Sequence, residues 1–262
     1  PYGPLTAVRQ ALADLSDIHV YPDPEARRVR GMLADYHAIS EESIVMGAGA
    51  DELIDLIMRL VINPGDSLIN CPPTFGMYSF DGDLNQARVI AVPRLMDFSL
   101  DMEGIQKAFE EYQPKMMFLA NPNNPDGGLH TNAQIEALLE LPLLLVLDEA
   151  YVNFSSQESH WIGEVQNHEN LIVLRTFSKW AGLAGLRIGY GVFPLDSVPY
   201  LMKAKQPYNI SVAAETAACV SLGHIDQLKQ NQAQIIAERE RLYSALDAIS
   251  WLEPYPSDAN FI

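Results

Sequence analysis

The sequence predicts an α/β fold in which a mostly parallel sheet of seven strands is covered by helices on both faces. Short apolar runs of strand length alternate with segments of helical periodicity between residues 44 and 192. Strands that are apolar along their whole length are typical of a parallel sheet, because both faces of such a sheet are buried. Regular alternation of these strands with helices indicates crossover connections within one sheet.

Two helices are predicted before the first strand. Apolar residues recur at helical spacing near the start of the chain: Leu5, Val8, Leu12 and Leu15. Proline is favoured in the first turn of a helix. We therefore expect the second helix to run from Pro24 to about His37.

The remaining elements follow in order along the chain. The predicted strands cover residues 44–46, 67–71, 88–92, 115–120, 143–147, 171–175 and 187–192. Helices are predicted over residues 50–62, 101–111 and 131–139. From about Ser211 two further helical stretches, the second over 225–249, lead to Trp251 and a few residues that resemble a strand. We therefore expect an N-terminal segment (1–20), a large domain (21–208) and the start of a smaller α+β domain (209–262).

The charge balance argues against two classes of partner. The 262 residues include 17 Lys and Arg against 34 Asp and Glu, a formal net charge of −17. Such a charge opposes binding to nucleic acid or to an anionic membrane. No apolar run approaches the roughly 20 residues that span a bilayer, and the first residues lack a secretory signal pattern.

Cysteine and histidine spacing predicts no metal site. Cys71 and Cys219 lie far apart without a CxxC pattern, and the histidines show no HExxH spacing. We expect neither a disulfide framework nor a zinc site, and a reducing cytoplasm as the compartment. The chain starts at Pro1 and stops at Ile262 inside a predicted strand, so we expect a piece of a longer protein.

A lysine and an arginine follow the predicted strand 171–175. The segment Thr176-Phe177-Ser178-Lys179 comes directly after this strand, and Arg187 follows within a Gly-rich stretch. A lysine amine can form a Schiff base with a carbonyl group, and a guanidinium can hold a phosphate through two parallel hydrogen bonds. In open α/β sheets ligands bind outside the carboxyl ends of the strands, where these residues are expected to lie.

Two further clusters lie at predicted strand ends. Gly47-Ala48-Gly49-Ala50-Asp51-Glu52 connects a strand to a helix, where backbone N–H groups could bind an anion. The same residues also fit a tight turn in which Asp51 and Glu52 favour the helix dipole. The segment Asn121 to Gly127 is a turn by composition, which leaves open whether an asparagine amide also contacts a ligand.

Acidic residues follow the apolar strand 143–147 in Asp148-Glu149-Ala150-Tyr151. This pattern also occurs in the Walker B strand of P-loop NTPases, but those proteins need a GxxxxGK[ST] motif, and the turn at Gly47 lacks the lysine. A carboxylate at Asp148 could instead keep a pyridine nitrogen protonated, so that the ring acts as an electron sink. With Tyr151 or Asn124 as donor to a ring oxygen, the four clusters supply the parts of a pyridoxal 5'-phosphate site.

Motifs over nearly the whole chain resemble the fold-type I pyridoxal-phosphate aminotransferases, most closely the histidinol-phosphate aminotransferase group. The motifs are Pro1-Tyr2-Gly3, Tyr21-Pro22-Asp23-Pro24, Gly49-Ala50-Asp51-Glu52, Cys71-Pro72-Pro73-Thr74-Phe75-Gly76-Met77-Tyr78, Asn123-Asn124-Pro125-Asp126-Gly127, Asp148-Glu149-Ala150-Tyr151, Arg175-Thr176-Phe177-Ser178-Lys179 and Gly182-Leu183-Ala184-Gly185-Leu186-Arg187.

The resemblance implies roles around the cofactor ring. Lys179 would bind the cofactor covalently and then carry the substrate proton. Asp148 would pair with the pyridine nitrogen, Asn124 and Tyr151 would bond the ring hydroxyl oxygen, and Phe75 would stack on the ring.

It also implies roles around the cofactor phosphate. The backbone of Ala50 and Asp51, with the side chains of Ser178 and Arg187, would bind this phosphate. Tyr21 would reach the phosphate of the neighbouring subunit's cofactor, which implies a homodimer with shared active sites.

Substrate-binding residues are less well defined. Tyr2 is a candidate for the substrate pocket, and the family's arginine for the substrate carboxylate would lie beyond Ile262. Asp126 stands where the family commonly has threonine, and Phe75 where it often has tyrosine. The other lysines considered, Lys203 and Lys205, fall in a helical stretch after the sheet, where we expect solvated side chains.

The resemblance implies a class II aminotransferase of the histidinol-phosphate type. It would transfer the amino group of L-histidinol phosphate to 2-oxoglutarate in histidine biosynthesis, so its partners would be a small amino donor and a 2-oxo acid. Aromatic amino-acid aminotransferase and threonine-phosphate decarboxylase remain alternatives.

Overall fold

A seven-stranded sheet forms the centre of the computed structural model, which describes residues 2–157 and 159–262. The strands are β1 (Ile44–Gly47), β2 (Ser67–Asn70), β3 (Arg88–Ala91), β4 (Met116–Ala120), β5 (Leu144–Asp148), β6 (Leu171–Thr176) and β7 (Gly189–Val192). They lie in the order β1-β7-β6-β5-β4-β2-β3. All neighbours are parallel except β7, which runs antiparallel to both β1 and β6. The predicted mostly parallel seven-stranded sheet is confirmed.

The connection from β6 to the reversed strand β7 contains no α-helix. Residues 177–188 form only a 3₁₀ turn at Ala184–Leu186, whereas parallel neighbours are usually joined by a crossover helix. The predicted strand start at 187 is wrong by two residues, because Arg187 has a left-handed backbone with φ 52°.

Ten α-helices accompany the sheet in the described residues. They are α1 (Thr6–Ala13), α2 (Arg27–His37), α3 (Ala50–Val61), α4 (Met77–Leu84), α5 (Met102–Tyr112), α6 (Asn132–Leu139), α7 (Trp161–Glu164), α8 (Val198–Ala204), α9 (Val212–Leu222) and α10 (Ile225–Asp247). The described residues include no helix with the length and apolar character needed to cross a membrane.

The predicted start of the second helix at Pro24 is wrong. Ala26 has φ 47°, a left-handed conformation that no α-helix continues through, and α2 begins at Arg27. The Asp23 carboxylate accepts hydrogen bonds from the backbone N–H groups of Glu25 (3.2 Å) and Arg27 (3.1 Å). Asp23 therefore stabilises a turn around Pro24 instead of a helical first turn.

The core lies on both faces of the sheet, as the apolar strands predict. One layer packs α3 residues such as Leu53 and Ile57 against Phe118 and Val146. The other packs α2, α5, α6 and α9 against the opposite strand residues, among them Met117 and Leu147. Successive strand residues point to opposite faces of the sheet, and helices pack on both faces. This packing on both sides fixes the positions of the strand ends.

The strand predicted after Trp251 is not formed. Trp251 is exposed, and residues 251–262 have no regular secondary structure. Their polar groups bond instead to other parts of the chain: Asp258 N–H donates to the Gly127 carbonyl (2.7 Å) in the turn after β4, and the Ala259 carbonyl accepts from Arg239 Nη1 (2.8 Å) on α10. These bonds use backbone groups that a sheet ladder would need.

Candidate active site

One cavity of about 240 Å³ opens at the carboxyl ends of the parallel strands. It brings together these residues singled out in the sequence: Ala50, Asp51, Phe75, Asn124, Asp148, Tyr151, Ser178, Lys179 and Arg187. They come from five separate chain segments, which the sheet topology places side by side.

Lys179 reaches the cavity from the turn after β6. The Ser178 N–H donates to Thr176 Oγ1 (3.0 Å), and the Thr176 hydroxyl donates to Ser178 Oγ (2.9 Å). The buried ring of Phe177 anchors this turn in the core. Lys179 Nζ lies 5.3 Å from the centroid of the Tyr151 ring, within the range of a cation–π contact. The amine is thus held beside an aromatic wall of the cavity.

Asp148 lies at the end of β5 as a buried carboxylate. Its Oδ2 accepts from the Tyr78 hydroxyl (2.8 Å) and its Oδ1 from the Ala150 N–H (3.0 Å). Burial raises the pKa of Asp148 to about 6, although both hydrogen bonds act in the opposite direction. In the described part of the chain no Lys, Arg or His forms an ion pair with it.

Tyr78 also lines the cavity, although no role for it is predicted from the sequence. Its ring stacks on Phe118 with centroids 5.0 Å apart, and burial raises the pKa of its phenol well above the usual range. The phenol therefore stays protonated and donates to Asp148. The available signal was its place in the motif Cys71 to Tyr78, three residues after Phe75.

Glu149 points away from the cavity, because neighbouring residues at a strand end face opposite sides. Its carboxylate is buried and forms an ion pair with Arg175 (2.7 Å), and it accepts a hydrogen bond from Ser159. Of the two acidic residues Asp148 and Glu149 at the end of β5, only Asp148 lines the cavity.

The phosphate end expected from the sequence consists of the α3 N-terminus and Arg187. Arg187 Nη2 lies 2.5 Å from Asp51 Oδ2, and both side chains are about half exposed. Gly49 has φ 82°, and a Cβ there would collide with the Arg187 guanidinium. The Gly47–Gly49 turn thus lets Arg187 lie close against the backbone that leads into the helix N-terminus, where an anion is favoured.

The turn at Asn121–Gly127 presents Asn124 to the cavity and uses Asn123 to hold its own shape. Asn123 Oδ1 accepts from Thr74 Oγ1 (2.8 Å), and its Nδ2 donates to the Pro73 carbonyl (3.1 Å) and to Asp126. Asp126 also accepts from the Gly128 N–H (2.7 Å). The aspartate that replaces the family's threonine therefore closes the turn. Asn124 lines the cavity, and its contact with a ligand stays a prediction.

Phe75 and Tyr151 form aromatic walls of the cavity. Phe75 contacts Tyr78 edge-on with centroids 5.6 Å apart, and Tyr151 contacts Phe261 edge-on at 5.1 Å. The C-terminal segment thus contacts one wall residue of the cavity, Tyr151, through Phe261.

Tyr21 and Tyr2 lie outside the cavity. Tyr21 is 79% exposed, and its ring centroid is 4.7 Å from that of Tyr208 on the surface. Its contact with a neighbouring subunit stays a prediction. Tyr2 donates to Gln234 and lines a separate depression beside α10, so its substrate role stays a prediction too. Pro1, the first residue of its motif, lies outside the described residues.

The residues present fit the expected cofactor. A buried carboxylate without a protein cation is complementary to a protonated pyridine nitrogen. A lysine amine, an arginine at a helix N-terminus and an asparagine side chain border the same cavity. In pyridoxal 5'-phosphate the lysine amine matches the aldehyde, the arginine matches the phosphate, and the asparagine matches the ring hydroxyl oxygen.

Comparisons with known proteins agree over the whole chain. The family model described as aminotransferase class I and II matches residues 1–262. The chain is 53% identical to the chloroplastic histidinol-phosphate aminotransferase of Nicotiana tabacum, over 100% of this chain and 63% of that protein. It is 50% identical to the histidinol-phosphate aminotransferase of Roseiflexus castenholzii, over 100% of this chain and 71% of that protein. The chain thus spans less than two thirds of the tobacco protein.

Solved structures share the fold. Histidinol-phosphate aminotransferase from Sinorhizobium meliloti, in complex with pyridoxal 5'-phosphate, superposes with a TM-score of 0.91 at 30% identity, over 98% of this chain and 71% of that one. L-threonine-O-3-phosphate decarboxylase from Porphyromonas gingivalis superposes with a TM-score of 0.85 at 27% identity, over 98% of this chain and 80% of that one.

Proposed function

Since the chain belongs to the aminotransferase class I and II family, we propose that its protein is a pyridoxal-phosphate-dependent aminotransferase that converts L-histidinol phosphate and 2-oxoglutarate to imidazole-acetol phosphate and glutamate. One observation carries the proposal. A single cavity is lined by the Lys179 amine, the buried Asp148 carboxylate and the Arg187 guanidinium at the N-terminus of α3.

In this proposal each side chain has a separate task. Lys179 would hold the cofactor covalently and, once displaced by the substrate amine, would move the proton at the substrate α-carbon. Pyridoxal phosphate, when bound, supplies an electron sink for that carbon. Asp148 would hold a proton on the ring nitrogen, because its buried carboxylate is stabilised by a cation beside it.

Arg187 and the N-terminus of α3 would bind the phosphate. Arg187 already pairs with Asp51, so its guanidinium would be shared between this carboxylate and the phosphate. Ser178, whose position is fixed by Thr176, would add a hydroxyl, and Asn124 and Tyr151 would bond the ring hydroxyl oxygen. Phe75 would cover one face of the ring.

The substrate assignment is supported by relatives named histidinol-phosphate aminotransferase at 50% and 53% identity over the whole chain. We expect the full-length protein to lose the visible absorbance of its bound cofactor rapidly with L-histidinol phosphate and slowly with phenylalanine or tyrosine. Stopped-flow spectroscopy of this half-reaction measures the difference. Equal rates with the aromatic amino acids would favour aromatic amino-acid aminotransferase and contradict the substrate assignment.

Threonine-phosphate decarboxylase is a second candidate, because a solved enzyme of that name shares the fold over 98% of the chain. Its substrate carries a carboxylate that is released as carbon dioxide, whereas histidinol phosphate has none to release. Incubation with threonine phosphate should therefore give no carbon dioxide. Stoichiometric release would overturn the proposed reaction.

We also propose a homodimer with shared active sites. Ile18 and Tyr21 are 77% and 79% exposed, and Val20 between them is also exposed. An exposed apolar segment of this kind is typical of an interaction surface. We propose further that domain boundaries lie at about residues 20 and 208, which limited proteolysis can test. We also propose that the protein works in the cytoplasm, which cell fractionation can test.

Replacing Tyr21 by phenylalanine is expected to weaken retention of pyridoxal phosphate and leave turnover of the saturated enzyme nearly unchanged. The change removes one hydrogen bond to a charged group, worth about 1.5–3 kcal/mol, or roughly a 10- to 150-fold higher Kd. Equilibrium dialysis against the cofactor measures it. Tyr200→Phe, at another exposed tyrosine, is the control; an equal effect of both changes would contradict the role of Tyr21.

A further inference from the structure

Lys205 is half-buried, so the prediction of a solvated side chain is wrong. It caps the C-terminal end of α8, and burial lowers the pKa of its amine. Nζ donates three hydrogen bonds: to the carbonyl of Pro24 (3.0 Å), to the carbonyl of Gln206 (3.2 Å) and to Asn209 Oδ1 (2.8 Å). An ammonium group has three donors, so all of them are used.

Asn209 continues this network to the turn before α3. Its Nδ2 donates to Glu52 Oε2 (2.6 Å) and to the Met46 carbonyl (3.1 Å). The same Glu52 oxygen accepts from the backbone N–H of Ala48 (2.6 Å). The Gly47–Gly49 turn is thus held from outside the cavity by one carboxylate, which a single asparagine orients.

The other arm of the network reaches the segment that carries Tyr21. Pro24 follows Tyr21 by three residues, and the Tyr21 ring packs on Tyr208, next to Asn209 in the chain. Lys205 is therefore bonded both to the segment of Tyr21 and, through Asn209 and Glu52, to the Gly47–Gly49 turn. Within the proposed function, both of these places meet a cofactor phosphate.

We propose that Lys205 is a positioning residue for the phosphate end of the site. It touches neither cofactor nor substrate. It sets the Gly47–Gly49 turn against Arg187 by fixing Asn209, which fixes Glu52. This inference depends on the proposed function, and the test below separates the two.

The test compares pyridoxal phosphate with pyridoxal, which lacks the phosphate. For Lys205→Met in the full-length protein we expect Kd for pyridoxal phosphate to rise about tenfold, as loss of charge-assisted hydrogen bonds predicts. Kd for pyridoxal should change by less than about twofold, because the ring contacts do not involve the network. Lys203→Met, at an exposed lysine of the same helix, should change neither.

Asn209→Ala carries the same test from the other end of the hydrogen bond. It should give the same selective loss, and the double variant should be no weaker than the single ones, since residues of one network are not additive. Equal weakening of both ligands, no difference from Lys203→Met, or failure of both variants to fold would overturn the inference. Absence of pyridoxal-phosphate binding by the unmodified protein would instead overturn the proposed function.

Discussion

Replacing Lys179 by alanine is expected to lower turnover by at least about 10⁴-fold while the protein still folds. The change removes both the covalent attachment and the group that moves the substrate proton, and general acid–base catalysis alone is worth roughly 10²–10⁴-fold. Lys179 is an exposed residue at the cavity, so its truncation leaves no buried charge without a partner. Steady-state kinetics of the full-length variant measures the loss.

Cofactor binding should survive this change in a weaker, non-covalent form. The groups proposed to bind the phosphate and the ring nitrogen, Arg187 and Asp148, are unaltered. Lys203→Ala on α8 is the control and should keep normal kinetics. A Lys179→Ala variant with more than about a hundredth of normal turnover would contradict the assigned role.

Replacing Asp148 by asparagine is expected to lower cofactor affinity or turnover by roughly 100- to 4,000-fold. Removing one partner of a buried charge pair costs roughly 3–5 kcal/mol, and each 1.4 kcal/mol corresponds to a factor of ten. Asparagine keeps the size of the side chain and can still accept one of the two hydrogen bonds from Tyr78 and Ala150. The control is Asp55→Asn, the same chemical change at a half-exposed residue of α3. Glu149→Gln is not suitable as a control, because Glu149 pairs with the buried Arg175.

The same variant should make the cofactor-free protein more stable at neutral pH. Burial raises the pKa of Asp148 from 3.8 to about 6, so between these values the folded state binds a proton that the unfolded state has lost. Stability of the unmodified protein therefore falls as pH rises from about 4 to about 6, and stays lower above pH 6. Denaturant unfolding should show an advantage of Asp148→Asn that grows over this window by at most about 3 kcal/mol. An advantage that is independent of pH would show that the carboxylate is not the cause.

The sequence predicts the sheet and most of the cavity because both depend on local patterns. The central strands are apolar runs, and Asp148, Ser178 and Lys179 stand at or just after their carboxyl ends, where strand ends meet. The direction of β7 is not a local property: it depends on whether residues 177–188 form a crossover helix, and they form only a 3₁₀ turn.

Other features depend on contacts between distant residues. Tyr78 joins the site only because α4 points its hydroxyl at Asp148, seventy positions further along the chain. Lys205 looks like any helix-end lysine until Pro24 and Asn209 are seen beside it. The start of α2 was missed because a carboxylate at Asp23 favours a turn that competes with the helix-starting tendency of proline.

The central claim is that Lys179 carries the cofactor, and borohydride reduction followed by peptide mapping tests it most directly. Reduction converts a Schiff base into a stable amine, which fixes the cofactor on the residue that held it. We expect the cofactor-derived mass on the peptide that contains Lys179, and its absence from the Lys179→Ala variant. Recovery of the label on Lys203, on Lys205 or on no lysine would contradict the claim.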